Sequence, residues 1–328
     1  MSRVHLLATG GTIAGKAGSE VDPGYRSGEV AVEGLINAVP GLRALAQLQG
    51  EQVAQVGSQD MNDALWLRLA ARVGALFAAN EADGVVITHG TDTVEETGYF
   101  LHLVVKSHRP VVLTGAMRPA TALSADGPLN LYNAVAVAAD PEARGRGAIV
   151  VLNDDLHCAR DVTKASTTDV HTFISPGPGL LGSASYGRIR YFRQPPHPHS
   201  AASEFSVDGL ERLPRVDILY AYSNMPADLV RASVAAGARG IVMAGMGNGN
   251  VSTEAARALA AAVKAGVVVV RSTRVVSGDV GRNIEVDDDA LGFVAADQLN
   301  PQKSRVLLQL CLARGLGRGA VQEAFYRY

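Results

Sequence analysis

The chain has 328 residues, is 47% hydrophobic with only 5% aromatic residues, and carries a formal charge of -2. That length suits two domains and a large core, and the near-neutral charge excludes a general attraction to nucleic acid or an anionic membrane surface. No uninterrupted apolar run of bilayer-spanning length occurs, which excludes a spanning helix of the usual kind.

Taken in order, residues 4–8 give the first strand signal, followed at once by the turn TGGTIAG at 9–15. Residues 16–31, with Pro23, Tyr25 and Gly28, are polar and glycine-rich and read as a long mobile loop, a type that is usually functional or disordered. A strand at 52–56 ends in GSQD, and a helix from about 62 puts Leu65, Leu69, Val73, Leu76 and Phe77 on one face. The strand at 85–88 is broken by His89-Gly90. Thr91, Asp92 and Thr93 then stand at the mouth of a helix running through Glu95, Glu96, Tyr99 and Leu103. A strand at 111–113, a helix at 130–139 and a strand at 148–152 follow, and 153–190 is less regular.

The proline-rich stretch 193–214 reads as a linker. Its His-Pro-His at 197–199 is expected to belong to that linker rather than to a metal site. Beyond it the alternation resumes, with strands at 216–220, 240–244 and 267–271 and helices at 227–236, 253–265 and 302–314. Strands alternating with helices signal βαβ units and a parallel sheet, hence an α/β fold. The expected organisation is an N-terminal catalytic domain at 1–192, a linker at 193–214 and a smaller C-terminal α/β domain at 215–328. Cys158 and Cys311 match no metal or redox spacing and read as plain thiols. Removing a secretory leader would cut away 9–15, so the sequence as given is expected to be cytoplasmic, or periplasmic if Met1 replaces a removed leader.

The richest stretch is GVVITHGTDTVEET at 84–97. It places hydroxyls and a carboxylate on a strand-to-helix turn, where open α/β sheets bind ligands. Helix capping accounts for one or two of these residues. It does not account for Thr91, Asp92, Thr93 and Thr97 together after a glycine. At 9–15, the spacing of Gly10, Gly11 and Gly15 fits no dinucleotide fingerprint, and the lysine and hydroxyl pair of a P-loop are missing. Read locally, Gly10-Gly11 is a tight turn and Thr12 is filler. The functional reading is that the two glycines let the backbone bend sharply and present the Thr12 hydroxyl, with nearby N–H groups able to face a developing oxyanion. Read locally, GNGN at 247–250 is a turn whose asparagine caps the helix from 253, Glu285 is a solvated charge in the acidic run 285–289, Lys164 is a surface lysine and Tyr25 is a loop aromatic.

Together, TGGTIAG, GSQDMND (57–63), ITHGTDTVEET (87–97), GAMRP (115–119), SADGPLNLYN (124–133), RDVTK (160–164), GNGN (247–250) and NPQKSRVLL (300–308) resemble the bacterial L-asparaginases, the type II branch in particular. The likeness runs from Val4 to Tyr328. It implies a larger flavodoxin-like domain with a parallel sheet, and hydrolysis of the L-asparagine side-chain amide to L-aspartate and ammonia. By the same resemblance Thr12 is the nucleophile that forms a β-aspartyl ester, with Tyr25 its partner on a closing loop. Thr91, Lys164 and Asp92 match the family's second triad, in which a lysine serves as base only where burial lowers its pKa. Asp92 also matches the partner of the substrate ammonium. Ser58 and Gln59 match residues that hold the α-carboxylate and α-amino group. The Ala116 carbonyl matches the contact to the leaving nitrogen, and the N–H groups of Thr12 and Thr91 match the oxyanion site. Asn250 and Glu285 match residues that reach a neighbouring subunit's substrate in a homotetramer built from intimate dimers. No cofactor and no metal are implied.

Some relatives with strong glutaminase activity carry serine at the position of Asn250 and glutamate at that of Gln59, so this chain leans towards asparagine. The lean is small, because one substrate methylene discriminates by only about 1–3 kcal/mol. A glutaminase-asparaginase using both amides is the nearest alternative. The asparaginase-like subunit of tRNA-dependent amidotransferases would call for a further domain and an RNA-binding surface. A non-catalytic bilobed amino-acid-binding protein would leave Thr12, Tyr25 and Lys164 without a task.

Overall fold

The computed structural model describes residues 1–20 and 24–328, apart from the side chain of Tyr25. Contacts divide the chain into two compact units, Met1–Gly209 and Leu210–Tyr328.

The first unit runs β1 (Arg3–Gly10), a small hairpin of β2 (Lys16–Ala17) and β3 (Tyr25–Arg26), α1 (Val32–Asn37), α2 (Leu42–Leu45) and β4 (Gln47–Val56). It continues with α3 (Asp63–Ala78), β5 (Gly84–Thr88), α4 (Val94–Val104), β6 (Val111–Thr114), α5 (Gly127–Ala139) and β7 (Ala148–Leu152). Five short strands follow: β8 (Asp155–Cys158), β9 (Thr163–Lys164), β10 (Phe173–Ile174), β11 (Gly182–Ser185) and β12 (Arg188–Tyr191).

Strands β4, β1, β5, β6 and β7 lie side by side in that order and are parallel throughout. Counted along the chain, this is the flavodoxin-like order, second-first-third-fourth-fifth, and its switch point falls between β1 and β5. Strands β8, β11 and β12 extend the same sheet antiparallel.

Such a sheet is covered on both faces, so its central strands are apolar throughout rather than alternating. Val85, Val86 and Ile87 have no exposed surface. Each contributes about 1.5–3 kcal/mol by leaving water. On one face Val4, Leu6, Val86, Val112 and Ile149 pack with Leu131, Ala134 and Val135 of α5 and with Leu35 of α1. On the other, Gly98 of α4 lies so close to Val150 and Leu113 that an added methyl would be in contact with both. Trp66 of α3 stacks on Phe100 of α4 at 5.3 Å. Asn62 caps α3 through its side-chain oxygen, which accepts from the Leu65 amide. Leu65 itself is only half-buried, and Trp66 takes the core position instead.

The second unit holds β13 (Val216–Tyr220), α6 (Asp228–Ala235), β14 (Gly240–Gly245), α7 (Thr253–Lys264), β15 (Val268–Thr273), α8 (Asp288–Leu291), β16 (Val294–Ala295), α9 (Pro301–Ala313) and α10 (Arg318–Arg327). Its four strands are parallel and lie in chain order. Ile241, Met243 and Val269 pack with Val230 of α6 and Leu259 of α7. The other face meets α9, where Gly240 leaves room for Leu308. Ser252, rather than Asn250, caps α7, its hydroxyl accepting from the Ala255 amide. Among the described residues no helix is long and apolar enough to cross a membrane.

Candidate active site

Two glycines set the site. Gly11 follows β1 with φ of 81°, in the left-handed region that favours glycine. A Cβ on it would stand 2.4 Å from the Gly90 nitrogen. Gly90 is as crowded, since a Cβ there would lie 2.6 Å from the Ser58 hydroxyl. The turns after β1, β4 and β5 therefore meet at the switch point. Each of the two glycines is followed by a threonine, and both Thr12 and Thr91 are buried.

A cavity of about 530 Å³ opens there, and Thr12, Thr91, Asp92 and Lys164 all line it. Lys164 Nζ donates to Thr91 Oγ1 at 2.8 Å and to Asp92 Oδ1 at 2.7 Å. Lys164 reaches this position from β9, which pairs with β10 through Lys164 and Phe173. The hydroxyls and carboxylate after β5 do not cap α4. Thr93, at the cap position, makes no capping bond, and its hydroxyl donates to the Ser58 carbonyl at 2.8 Å. The Asp92 amide donates to the Ser58 hydroxyl at 3.2 Å.

His89 holds the turn from behind. It is fully buried, and burial pulls its pKa down to about 4, so the ring is neutral at pH 7. Its Nδ1 lies 2.7 Å from the Gly90 carbonyl and its Nε2 lies 2.9 Å from Thr97 Oγ1. Trp66 Nε1 also donates to Thr97 Oγ1. A neutral ring satisfies both sides with Nδ1–H donating to Gly90 and Nε2 accepting from the Thr97 hydroxyl.

Ser58 is buried beside Asp92, and Gln59 next to it is exposed on the same short turn. Ala116 is fully buried one residue before Met117, which lines the cavity. Its loop is fixed by α5: the Asp126 carboxylate accepts from the Met117 and Arg118 amides at 2.9 Å each, and Asn130 Nδ2 donates to the Gly115 carbonyl. The backbone of Tyr25 pairs with Ala17, but its side chain, like residues 21–23, lies outside the described residues. Asn250 and Glu285 belong to the second unit, where Asn250 Nδ2 donates to Glu285 Oε2 at 2.6 Å.

The wall also includes Glu20, Met117, Ser124, Thr167 and Thr168, which the sequence reading did not single out. The hydroxyl run Ser166-Thr167-Thr168 just after Lys164 was the available signal. It is folded by Ser166 Oγ, which accepts from the Asp169 amide, and by Thr172, whose hydroxyl donates to the Ser166 carbonyl. Cys158 and Cys311 are both buried, and burial pushes the Cys158 thiol up to about 12. His199 packs its ring 4.6 Å from that of buried His102. Among the described residues no three metal-ligating side chains gather at one point.

Fold and cavity define an α/β protein with a cavity at the switch point of its larger sheet, walled by threonine hydroxyls, a lysine and an aspartate. Residues 3–197 match the family model described as asparaginase, N-terminal, and residues 215–325 match the glutaminase/asparaginase C-terminal domain. The chain belongs to the asparaginase family. It is 51% identical to a probable periplasmic L-asparaginase of Haemophilus influenzae, over 99% of this chain and 93% of that one. It is 50% identical to L-asparaginase 2 of Escherichia coli, over 100% and 94%. It is 44% identical to a glutaminase-asparaginase of Pseudomonas fluorescens, over 100% and 91%. A crystal structure of a probable cytoplasmic L-asparaginase from Campylobacter jejuni matches with a TM-score of 0.97 at 46% identity, covering all of both chains.

Proposed function

We propose that the protein hydrolyses the side-chain amide of L-asparagine through an acyl-enzyme on Thr12. The observation that carries this reading is the placement of Thr12 in one cavity with the Thr91–Lys164–Asp92 set, Lys164 Nζ lying 2.8 Å from the Thr91 hydroxyl. An amide is a poor electrophile, so a held nucleophile, proton-handling groups and oxyanion donors each lower the barrier.

In this mechanism Thr12 Oγ1 attacks the side-chain carbonyl carbon, and the carbonyl oxygen takes negative charge against the N–H groups of Thr12 and Thr91. The carbon–nitrogen bond breaks, the hydroxyl proton ends on the leaving nitrogen, and ammonia departs past the Ala116 carbonyl. Water then attacks the aspartyl ester, L-aspartate leaves and the Thr12 hydroxyl is restored. Thr91 and Lys164 handle the proton, and Tyr25 partners the Thr12 hydroxyl. Asp92 receives the substrate ammonium, while Ser58 and Gln59 hold the α-substituents. Asn250 and Glu285 complete the site of a neighbouring subunit in a homotetramer. Asn250 and Gln59 favour asparagine over glutamine.

Ammonia release from both amides tests the reading. Faster turnover per unit concentration on L-asparagine supports it, and equal use of both amides supports the glutaminase-asparaginase reading, which the 44%-identical relative favours. No release from either, with aspartate still bound, identifies an amino-acid-binding protein.

A further inference from the structure

Among the described residues Arg271 is the largest fully buried side chain, at 1% exposure, and it sits on β15 of the smaller unit. A buried guanidinium has five donors to satisfy. Its Nε and Nη2 make a fork with the Asp288 carboxylate at 2.6 and 2.7 Å, and Asp288 has no exposed surface. The remaining donors leave the ion pair and go to backbone. Nη1 donates to the Asn248 carbonyl at 3.0 Å, inside the GNGN turn. Nη2 donates to the Gly281 carbonyl at 3.1 Å, at the start of the loop that carries Glu285.

The same two segments are tied a second time without the arginine, since the Gly281 amide donates to Asn248 Oδ1 at 3.0 Å. Asp288 ties the loop once more by accepting from the Asn283 amide at 2.9 Å. Gly249 fits because it lacks a side chain: φ is 76°, and a Cβ would lie 2.8 Å from Arg271 Nη1. The fork thus joins the turn of Asn250 to the loop of Glu285, whose side chains meet at 2.6 Å. An apolar pair of similar volume would fill the core as well without the desolvation cost of two buried charges. What it would not do is hold two loop carbonyls in register.

We propose that Arg271, with Asp288 and Asn248, is a positioning device that sets Asn250 and Glu285 for contact with the substrate bound by a neighbouring subunit. The inference rests on the reading that those two residues touch substrate. Loss of a contact made equally to bound substrate and to the transition state raises KM and leaves kcat unchanged.

The test is steady-state kinetics on L-asparagine with the full-length protein, together with melting temperatures, for Glu285→Ala, Asn248→Ala and Arg271→Lys. Asn248→Ala leaves the buried ion pair in place, so it tests the register even if Arg271→Lys folds poorly. Expected is a rise in KM of about tenfold for Asn248→Ala and Arg271→Lys with kcat within about twofold. The melting temperature of Asn248→Ala stays at that of the parent, and adding Asn248→Ala to a protein that already carries both Glu285→Ala and Asn250→Ala raises KM no further. If Glu285→Ala raises KM while the other two leave it alone, the positioning role is overturned and the substrate contact stands. If Glu285→Ala leaves KM unchanged, the substrate contact falls and takes the positioning role with it. A fall in kcat and melting temperature together in Arg271→Lys, with normal KM in Asn248→Ala, reduces Arg271 to a stabilising residue.

Discussion

Gly11 and Gly90 meet backbone to backbone, at a separation that would leave a Cβ on Gly11 only 2.4 Å from the Gly90 nitrogen. The two threonines of the site are the next residues in the turns after β1 and β5, so this contact fixes their spacing. Gly11→Ala combines that clash with a φ of 81°. It is expected to cost at least about 2 kcal/mol of stability. It should also lower kcat by about 100-fold, as a displacement of reacting groups does. Thermal unfolding and asparagine turnover check this, and a variant with parental melting temperature and kcat would show that the contact does not set the site.

Lys164 and Asp92 form a pair whose value lies in chemistry rather than stability. The Asp92 side chain is 61% exposed. Such a pair contributes at most about 1 kcal/mol to folding. Lys164→Met is therefore expected to melt close to the parent while kcat falls by about 10²–10⁴-fold. A large loss of stability with intact kcat would reverse the assignment.

His89 predicts an acid limit. Burial lowers its pKa to about 4 from the ordinary 6.5. Below pH 6.5 the unfolded chain binds this proton and the native state does not, so stability falls as pH falls from about 6.5 to about 4 and is fully present above. One such group amounts to about 3 kcal/mol by pH 4. His102, buried against His199, is shifted the same way by burial and by its neighbour's charge. Urea unfolding between pH 7 and pH 4 checks the sign. In His89→Gln the slope should flatten, and an unchanged slope would exclude His89 as a source.

A further expectation concerns assembly. If Asn250 and Glu285 act on a neighbour's substrate, activity per chain should fall as the protein is diluted into monomers. Sedimentation beside turnover at matched concentrations checks this, and a fully active monomer would contradict the shared site.

The parallel core was legible because buried strands such as 85–88 are short runs of apolar and β-branched residues with a glycine close behind, and the two threonine turns stood out because each follows such a run and its glycine. What sequence missed was held by weaker signals. β4 begins five residues before the expected strand, because Gln47, Gln49 and Glu51 lie on a sheet edge where polar residues are tolerated. The region 153–190 hides β8 to β12, strands of two to four residues that are too short for a period to show. Residues 16–31, expected as one loop, contain the two-residue pair of β2 and β3. The cap of α7 falls on Ser252, while the Asn250 side chain donates through Nδ2 to Glu285. His199, set in a proline-rich stretch, packs on a helix histidine far away in sequence, a contact no local pattern encodes.

The central claim is that Thr12 carries the acyl group. Thr12→Ala should lower turnover by at least about 10³-fold while aspartate still binds. The direct measurement is acid quench during turnover of L-asparagine, followed by peptide mass spectrometry. An aspartyl adduct on Thr12, absent from Thr12→Ala, is the predicted result. An adduct on Thr91, or near-parental kcat in Thr12→Ala, would contradict it.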